Sequence, residues 1–343
     1  MKIKLSFPEY SIETHQCFTS DIFKAGKEFP LVDIDVDSYI EEAFVETVLD
    51  EDCIYQIAIG KYSSLADGIS LLVDMNHDYK KIAQGRIRGL TYRRPEYIPR
   101  KGQIIIGNDC WIGRGVTILG GVTIGDGAVV GSNSMVTKDV PPYAILAGNP
   151  GRIIGYRFTE QEILDLKTIG WWNWDREKIL QYGDLIYGNQ VAKFIQQFIS
   201  EAKEEIEKID KLDLKILPKE KEGSSSIYYY VPDFHSDYPT YPRVIKEFIN
   251  EFADTNAELL IYVIEDENVE EKLSLLNQIF DQYQQVNAYI NLYIGDIVDE
   301  RSVFSQIDFY ISSRENEAVH RIGLAEYYGV KTYFGVNKPI FAS

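Results

Sequence analysis

The sequence predicts a β-solenoid followed by an α/β unit, and three observations carry that prediction. Between Ile106 and Val140 an aliphatic residue returns every sixth position, at Ile106, Ile112, Ile118, Ile124, Val130 and Val136, usually followed by Gly. A small residue stands four places after each, as at Cys110, Ala128 and Ser134. Neither a helix nor an alternating strand repeats in sixes. Stacked coils of short flat strands do, each hexad forming one side of a coil with its aliphatic pointing into a shared core. Second, from Ile227 apolar runs alternate with helical segments (IYYYVP, YPRVIKEFINEF, AELLIYVI, NVEEKLSLLNQIFDQY, AYINLYIG), the pattern of a small parallel sheet covered by helices. Third, the stretch between them, from FTEQEILDLK to SEAKEEIEKIDK, reads as amphipathic helix.

Composition narrows the classes. The 343 residues suggest more than one domain, and 45% hydrophobic residues suffice for globular cores. A net charge of −18 argues against nucleic acid as a partner, since a polyanion would be repelled over most of the surface. MKIKLSFPEYSIETHQ has no apolar signal core and the chain has no long uninterrupted apolar run, so a cytoplasmic protein without a membrane span is expected. Cys17, Cys53 and Cys110 form neither a disulfide framework nor a metal-ligand cluster, and they read as packing residues. No metal site is expected, because His, Cys, Asp and Glu never cluster at ligand spacing.

In chain order, residues 1 to about 50 read as short strands leading into the solenoid, with alternation in LVDIDVDSYI. The repeat first appears at Ile59-Gly60 and Leu65-Ala66, breaks off from about Leu72 to Gln103, and resumes at Ile106. Such an insertion costs the core little and forms a loop on one face, where sites tend to be carried. It holds Asn76-His77 and a concentration of cations that includes Lys80, Lys81, Arg88, Arg100 and Lys101. The Trp171-Trp172-Asn173-Trp174 cluster is expected to pack the helical tail against the solenoid. The charged, Ser-ending run KILPKEKEGSSS reads as a linker with a boundary near residue 224.

The order IGKYSSLADGIS, a loop with Asn76-His77, IIIGNDCWIGRGVTILGGVTIGDGAVVGSNSMVTKDVPPYAILAGNPGRII and IGWWNWDREKIL resembles the hexapeptide-repeat acetyltransferases of the type B chloramphenicol (xenobiotic) acetyltransferase group, over residues 54 to 182. The resemblance implies a left-handed parallel β-helix, a homotrimer with active sites between subunits, and transfer of acetyl from acetyl-CoA to a hydroxyl. It places the catalytic histidine on His77. It also lines the acetyl-CoA groove with Trp111, Gly113, Gly121, Ala147, Asn149-Pro150 and the basic residues Lys138 and Arg152. For each glycine, a turn that only Gly can make is the alternative to a ligand contact. Lys138 and Arg152 either face the CoA phosphates or are ordinary surface charge.

The chemistry fits those residues. An attacking alcohol must lose its proton, and a neutral imidazole with an ordinary pKa of about 6.5 suits that task. No Ser or Cys sits in a nucleophile elbow, so direct attack is simpler than an acyl-enzyme. The oxyanion is then held by backbone N–H groups of a coil turn or by a side chain such as Asn76. Of the other histidines, His15 reads as surface or core, and His235 and His320 lie outside the resemblance.

The C-terminal run resembles the nucleotide-sugar-binding half of two-domain GT-B glycosyltransferases, a Rossmann-like domain, in ELLIYVIEDENVEEKLSLLNQI and IDFYISSRENEAVHRIGLAEYYGVKTYFG. It departs from the glutamate pair eight positions apart that those enzymes carry, since Glu317 is followed at that spacing by Ala325 and Glu315 by Gly323. Glycosyl transfer by this chain alone is therefore not expected. A nucleotide sugar or glycan is expected instead to dock at Ser312–Asn316, where a helix N-terminus and Arg314 offer positive charge; capping by Ser313 and Asn316 is the alternative.

The sequence thus predicts a solenoid acetyltransferase over residues 1–182 with an insertion at about 72–103, a helical extension and linker over 183–224, and a Rossmann-like domain over 225–343. The expected acceptor is a hydroxyl of a sugar or glycoconjugate. An antibiotic acceptor, or a non-catalytic scaffold that binds a glycosyltransferase or glycan, are the alternatives.

Overall fold

The structure, a computed structural model, describes residues 2–7, 16–24, 27–47, 56–73, 80–85, 87–90, 99–210, 226–236, 239–283, 287–295 and 300–341. Strands β1 (Lys2–Phe7) and β2 (Gln16–Lys24) pair antiparallel with the first coil of a β-helix. That coil is β3 (Lys27–Ile34) and the bent β4 (Tyr39–Thr47). The next is β5 (Gln56–Ile59), β6 (Ser64–Leu65) and β7 (Ile69–Val73). After the insertion come β8 (Gln103–Ile106), β9 (Trp111–Ile112) and β10 (Thr117–Leu119). The last full coil is β11 (Val122–Ile124), β12 (Val129–Val130) and β13 (Met135–Val136). The stack closes with β14 (Ala144–Ala147) and the reversed β15 (Arg152–Tyr156).

Each six-residue repeat contributes one rung to one of three faces. On the first face Ile34, Ile59, Ile106, Ile124 and Val140 lie in register on successive coils. Ile40, Leu65, Ile112, Val130 and Leu146 do so on the second, and Val45, Leu71, Ile118 and Val136 on the third. All are buried in one continuous core. Each such side chain removed from water is worth roughly 1.5–3 kcal/mol, so the ladder of aliphatics supplies the drive for stacking.

The solenoid begins one coil earlier than the repeat suggests. Residues 32–47, expected to be lead-in strands, pair in parallel with β5, β6 and β7. The turn there holds Asp37 at φ 52°, the place that Tyr62, Asp109 and Gly127 take in later coils, and Asp tolerates the left-handed region.

Helix α1 (Glu160–Ile169) starts with a capping box between Thr159 and Glu162. It leads through Trp171–Asn173 to α2 (Arg176–Gln181), α3 (Gly183–Ile186) and the long α4 (Val191–Asp210). Trp172, Phe194 and Phe198 bury against Tyr143 of the last coil turn, so the aromatic tail does pack on the solenoid. The boundary expected near residue 224 lies outside the described residues.

The C-terminal part alternates β16 (Ile227–Tyr230), α5 (Tyr241–Phe252), β17 (Glu258–Ile264), α6 (Val269–Phe280), β18 (Tyr289–Gly295), α7 (Arg301–Phe304), β19 (Phe309–Ser312), α8 (Ala318–Tyr328) and β20 (Lys331–Phe334). All five strands are parallel, in the order β18-β17-β16-β19-β20. The α/β expectation holds.

This sheet does not hang from a tether. On the first face of the solenoid the side chains of Gln56, Ala58, Gln103 and Ile105 point outward, opposite the core-facing rungs, yet all are buried. Ala58 and Ile105 join a hydrophobic cluster with Tyr229, Phe304, Tyr310 and Leu324 of the C-terminal part. Polar contacts frame it: Gln56 Nε2 donates to Ser313 O at 2.9 Å, and Thr168 Oγ1 and Tyr327 Oη lie 3.0 Å apart.

Candidate active site

Asn76 and His77, with Asp74 and His15, lie outside the described residues; their position in the chain still locates the insertion. The chain leaves the third face after Val73 and rejoins the first face at Gln103, so both ends of the insertion meet the solenoid at the corner between those faces. One coil along at the same corner is Gly121, at φ 90°, and one coil further is the exposed Lys138. A Cβ on Gly121 would stand 2.3 Å from Lys101 Cδ, and its N–H donates to Gln103 O at 2.6 Å. The glycine is therefore required by backbone shape and by close approach, whatever else it touches.

The opposite corner, between the second and third faces, gathers most of the remaining residues. A Cβ on Gly113 would lie 2.7 Å from Ser132 N. Ala147 sits one coil above Gly131, and the loop Gly148–Gly151 lies along β13, with Met135 N donating to Gly148 O and Gly151 N to Met135 O. Asn149, Pro150 and Arg152 are exposed there, and Arg152 Nη1 donates to Gly151 O. Between the two corners the outward side chains of Ser70, Leu72, Thr117, Leu119 and Met135 are partly exposed. The third face thus presents a partly exposed, mainly apolar strip flanked by glycine-containing turns. Trp111 stands apart. It points outward from the second face, 60% exposed, in register between Ser64 and Val129.

At the C-terminal end, the expected anion site is already occupied by the protein's own groups. Arg314 is buried and faces the buried Asp233 carboxylate at 3.9 Å. Ser313 Oγ donates to Val231 O, and Glu315 pairs with Arg321. Asp233 also accepts from Thr240 N and Oγ1. Burial raises the Asp233 carboxyl, and Arg314 and Thr240 pull it back down. A free cationic helix terminus is thus not what residues 312–316 present.

Sequence reading missed a polar cavity between the solenoid and its flanking helices. Asp126, Asn108, Lys167, Thr168, His320 and Tyr327 line it. Asp126 Oδ1 accepts from both Asn108 N and Nδ2, while burial raises the Asp126 carboxyl. Burial also lowers the His320 imidazole to about 4, with Arg321, Lys61 and Arg301 adding to the effect. Nothing local marks these residues, since the cavity joins segments from both ends of the chain. Cys110 is buried in the solenoid core; Cys53 lies outside the described residues. Among the described residues there is no group of three or more His, Cys, Asp or Glu that could hold a metal, and no helix is long and apolar enough to cross a membrane.

Coils of this period, with glycine corners and an insertion at one corner, define a hexapeptide-repeat transferase. The description "Bacterial transferase hexapeptide (six repeats)" matches residues 103–138. The chain is 40% identical over 131 residues to a probable macrolide acetyltransferase of Lysinibacillus sphaericus, covering 36% of this chain and 73% of that protein. It is 39% identical over 163 residues to a chloramphenicol acetyltransferase of Morganella morganii, covering 44% and 76%. Among solved structures, a maltose O-acetyltransferase from Clostridium difficile 630 is 28% identical, covering 37% of this chain and 64% of that one, with a TM-score of 0.26. The chain belongs to the hexapeptide-repeat acetyltransferases of the chloramphenicol and macrolide type, a family of acetyl-CoA-using enzymes.

Proposed function

We propose that this protein transfers acetyl from acetyl-CoA to a hydroxyl of a sugar or glycoconjugate, in the cytoplasm, as a left-handed β-helix trimer with its active sites between subunits. The observation that carries the acetyl-transfer reading is the placement of the insertion beside the glycine-edged third face. The role of His77 as base is carried over from the family resemblance, and the two ends of the insertion that holds it, at Val73 and Gln103, flank this face. His77 takes the acceptor hydroxyl's proton as its oxygen attacks the thioester carbonyl, the C–S bond breaks, and CoA leaves as the thiol. Asn76 or coil-turn amides hold the oxyanion. Gly113, Gly121, Ala147, Asn149 and Pro150 line the pantetheine arm, Lys138 and Arg152 face the phosphates, and Trp111 contributes from the neighbouring face.

The sugar acceptor rests on the resemblance of residues 225–343 to the nucleotide-sugar-binding, Rossmann-like half of GT-B glycosyltransferases, and not on the strand switch point between β16 and β19, which Ser313, Arg314 and Asp233 fill. A chloramphenicol- or macrolide-type acceptor is the second reading, favoured by the two named relatives. Thioester turnover over a panel of sugar and antibiotic hydroxyls separates the two. His77→Ala should lower that turnover by ~10²–10⁴-fold with acetyl-CoA binding retained. Wild-type turnover in that variant overturns the assignment.

A further inference from the structure

The polar cleft between the solenoid and its flanking helices lies at the corner between the first and second faces, away from the corner at which the ends of the insertion meet the coils. Its empty space is about 450 Å³, part of it open to solvent, within the range of small-molecule sites. Three of its features have no role in holding the fold together. Asp126 is 6% exposed, and its Oδ1 accepts from Asn108 N and Nδ2, but Oδ2 has no hydrogen-bond partner among the described residues. A buried carboxylate oxygen in that state is costly unless something else meets it. Over it stands Gly323, inside α8, where a Cβ would meet only Asp126 Oδ2, at 3.5 Å, an ordinary contact. Alanine would fit there and would favour the helix, so neither backbone shape nor packing demands the glycine. Its effect is to leave the space over the carboxylate open. One turn earlier on the same helix, His320 lines the cleft with no hydrogen-bond partner among the described residues, and burial keeps its imidazole neutral.

We propose that this cleft binds a neutral, hydroxyl-rich ligand of the size of a hexose. The donors and acceptors set the class. Thr168 Oγ1 donates to Leu164 O at 2.8 Å, so Tyr327 Oη is the donor in its 3.0 Å pair with Thr168, and the Tyr327 oxygen is left to accept. Asp126 Oδ2 accepts as well, and the neutral His320 ring offers one acceptor and one donor. A ligand that meets these groups must bring several donors and at least one acceptor, as vicinal hydroxyls do. Charge opposes the alternatives. Lys167 and Arg301 line the cleft with Asp126, and Lys61 and Arg321 lie close enough to act on His320, so an ammonium compound meets opposing cations. The Asp126 carboxylate, and that of Glu326 on Lys167, oppose a free anion. Trp172 and Leu324, both buried, supply apolar walls for the C–H faces of a sugar ring. The site is built entirely outside the insertion and needs no acetyl transfer.

The test is calorimetric titration of the full chain with D-glucose, D-galactose and N-acetylglucosamine, with cyclohexanol and inorganic phosphate as the competing chemistries. At least one of the sugars should bind. Gly323→Ala should weaken that binding roughly ten-fold or more by filling the space over Asp126 Oδ2. The same variant should raise the midpoint of urea unfolding, as alanine in a helix interior does, so loss of binding is not loss of fold. Asp126→Asn, which keeps an oxygen for Asn108 and puts a donor in the place of Oδ2, should also weaken binding roughly ten-fold or more, the effect of losing a hydrogen bond to a charged group. Failure of all three sugars to bind overturns the proposal. So does an affinity unchanged in folded Gly323→Ala, which would place the sugar elsewhere on the molecule. Phosphate that displaces the sugar, or cyclohexanol that binds as tightly as the sugars do, overturns the ligand class.

Discussion

Replacing Ile105 tests whether the C-terminal part is welded to the solenoid or merely tethered to it. Ile105 points away from the solenoid core, in register with Ala58 on one side and Thr123 on the other, and is 1% exposed only because the C-terminal cluster covers it. On a bare solenoid, Ile105→Ala would change stability by less than about 0.5 kcal/mol, as surface substitutions do. Beneath the cluster it removes three buried carbons and leaves a cavity under the C-terminal part, at a cost of about 2–4 kcal/mol. Urea unfolding reads the difference. Tryptophan fluorescence reports only the solenoid and its tail, because Trp111, Trp171, Trp172 and Trp174 all precede residue 175, whereas far-ultraviolet circular dichroism reports both parts. The expected result is an earlier transition by circular dichroism, with the half-buried Thr123→Ala as a near-neutral control. A cost below about 0.5 kcal/mol for Ile105→Ala would refute the docking argument.

Two further outcomes follow from the structure. Because the cavity lowers the folded-state His320 imidazole to about 4, the unfolded chain takes up that proton first as pH falls from about 6.5. This contribution to stability is complete above that pH and is lost as pH drops towards 4; His320→Gln should flatten the slope in that window, against a background set by Asp126, Lys167, Arg301, Arg321 and Lys61 around the ring. An unchanged slope would show that the imidazole is not shielded. For assembly, sedimentation should give three times the 39.4 kDa chain mass, and an active monomer would refute the trimer.

Much of the fold can be read from the chain alone, for a local reason. Ile59, Leu65, Ile106 and their successors recur at fixed spacing because every coil presents the same inward position, and the alternating runs after Ile227 record strands and helices in the same direct way. The first coil escaped because Ile34 is followed by Asp35 where the matching Ile59, Ile106 and Ile124 are each followed by Gly, which erased half of the repeat's mark. The candidate site was legible only as a location: an interruption in the period, with one histidine in it.

The sequence by itself determined the solenoid, its period, the position of the insertion and the α/β character of the C-terminal part, since each is written in spacing between near neighbours. In QIAI and QIII both sides of the strand are buried. What buries them was decided only by the tertiary structure. The bond from Gln56 to Ser313 joins residues 257 positions apart, and Asp126, Lys167 and His320 meet from three separate segments. Such contacts impose no period on the chain, so Arg314 reads as a free cation until Asp233 is found beside it, and Asn337 reads as an ordinary turn residue until Gly102 is found within its reach.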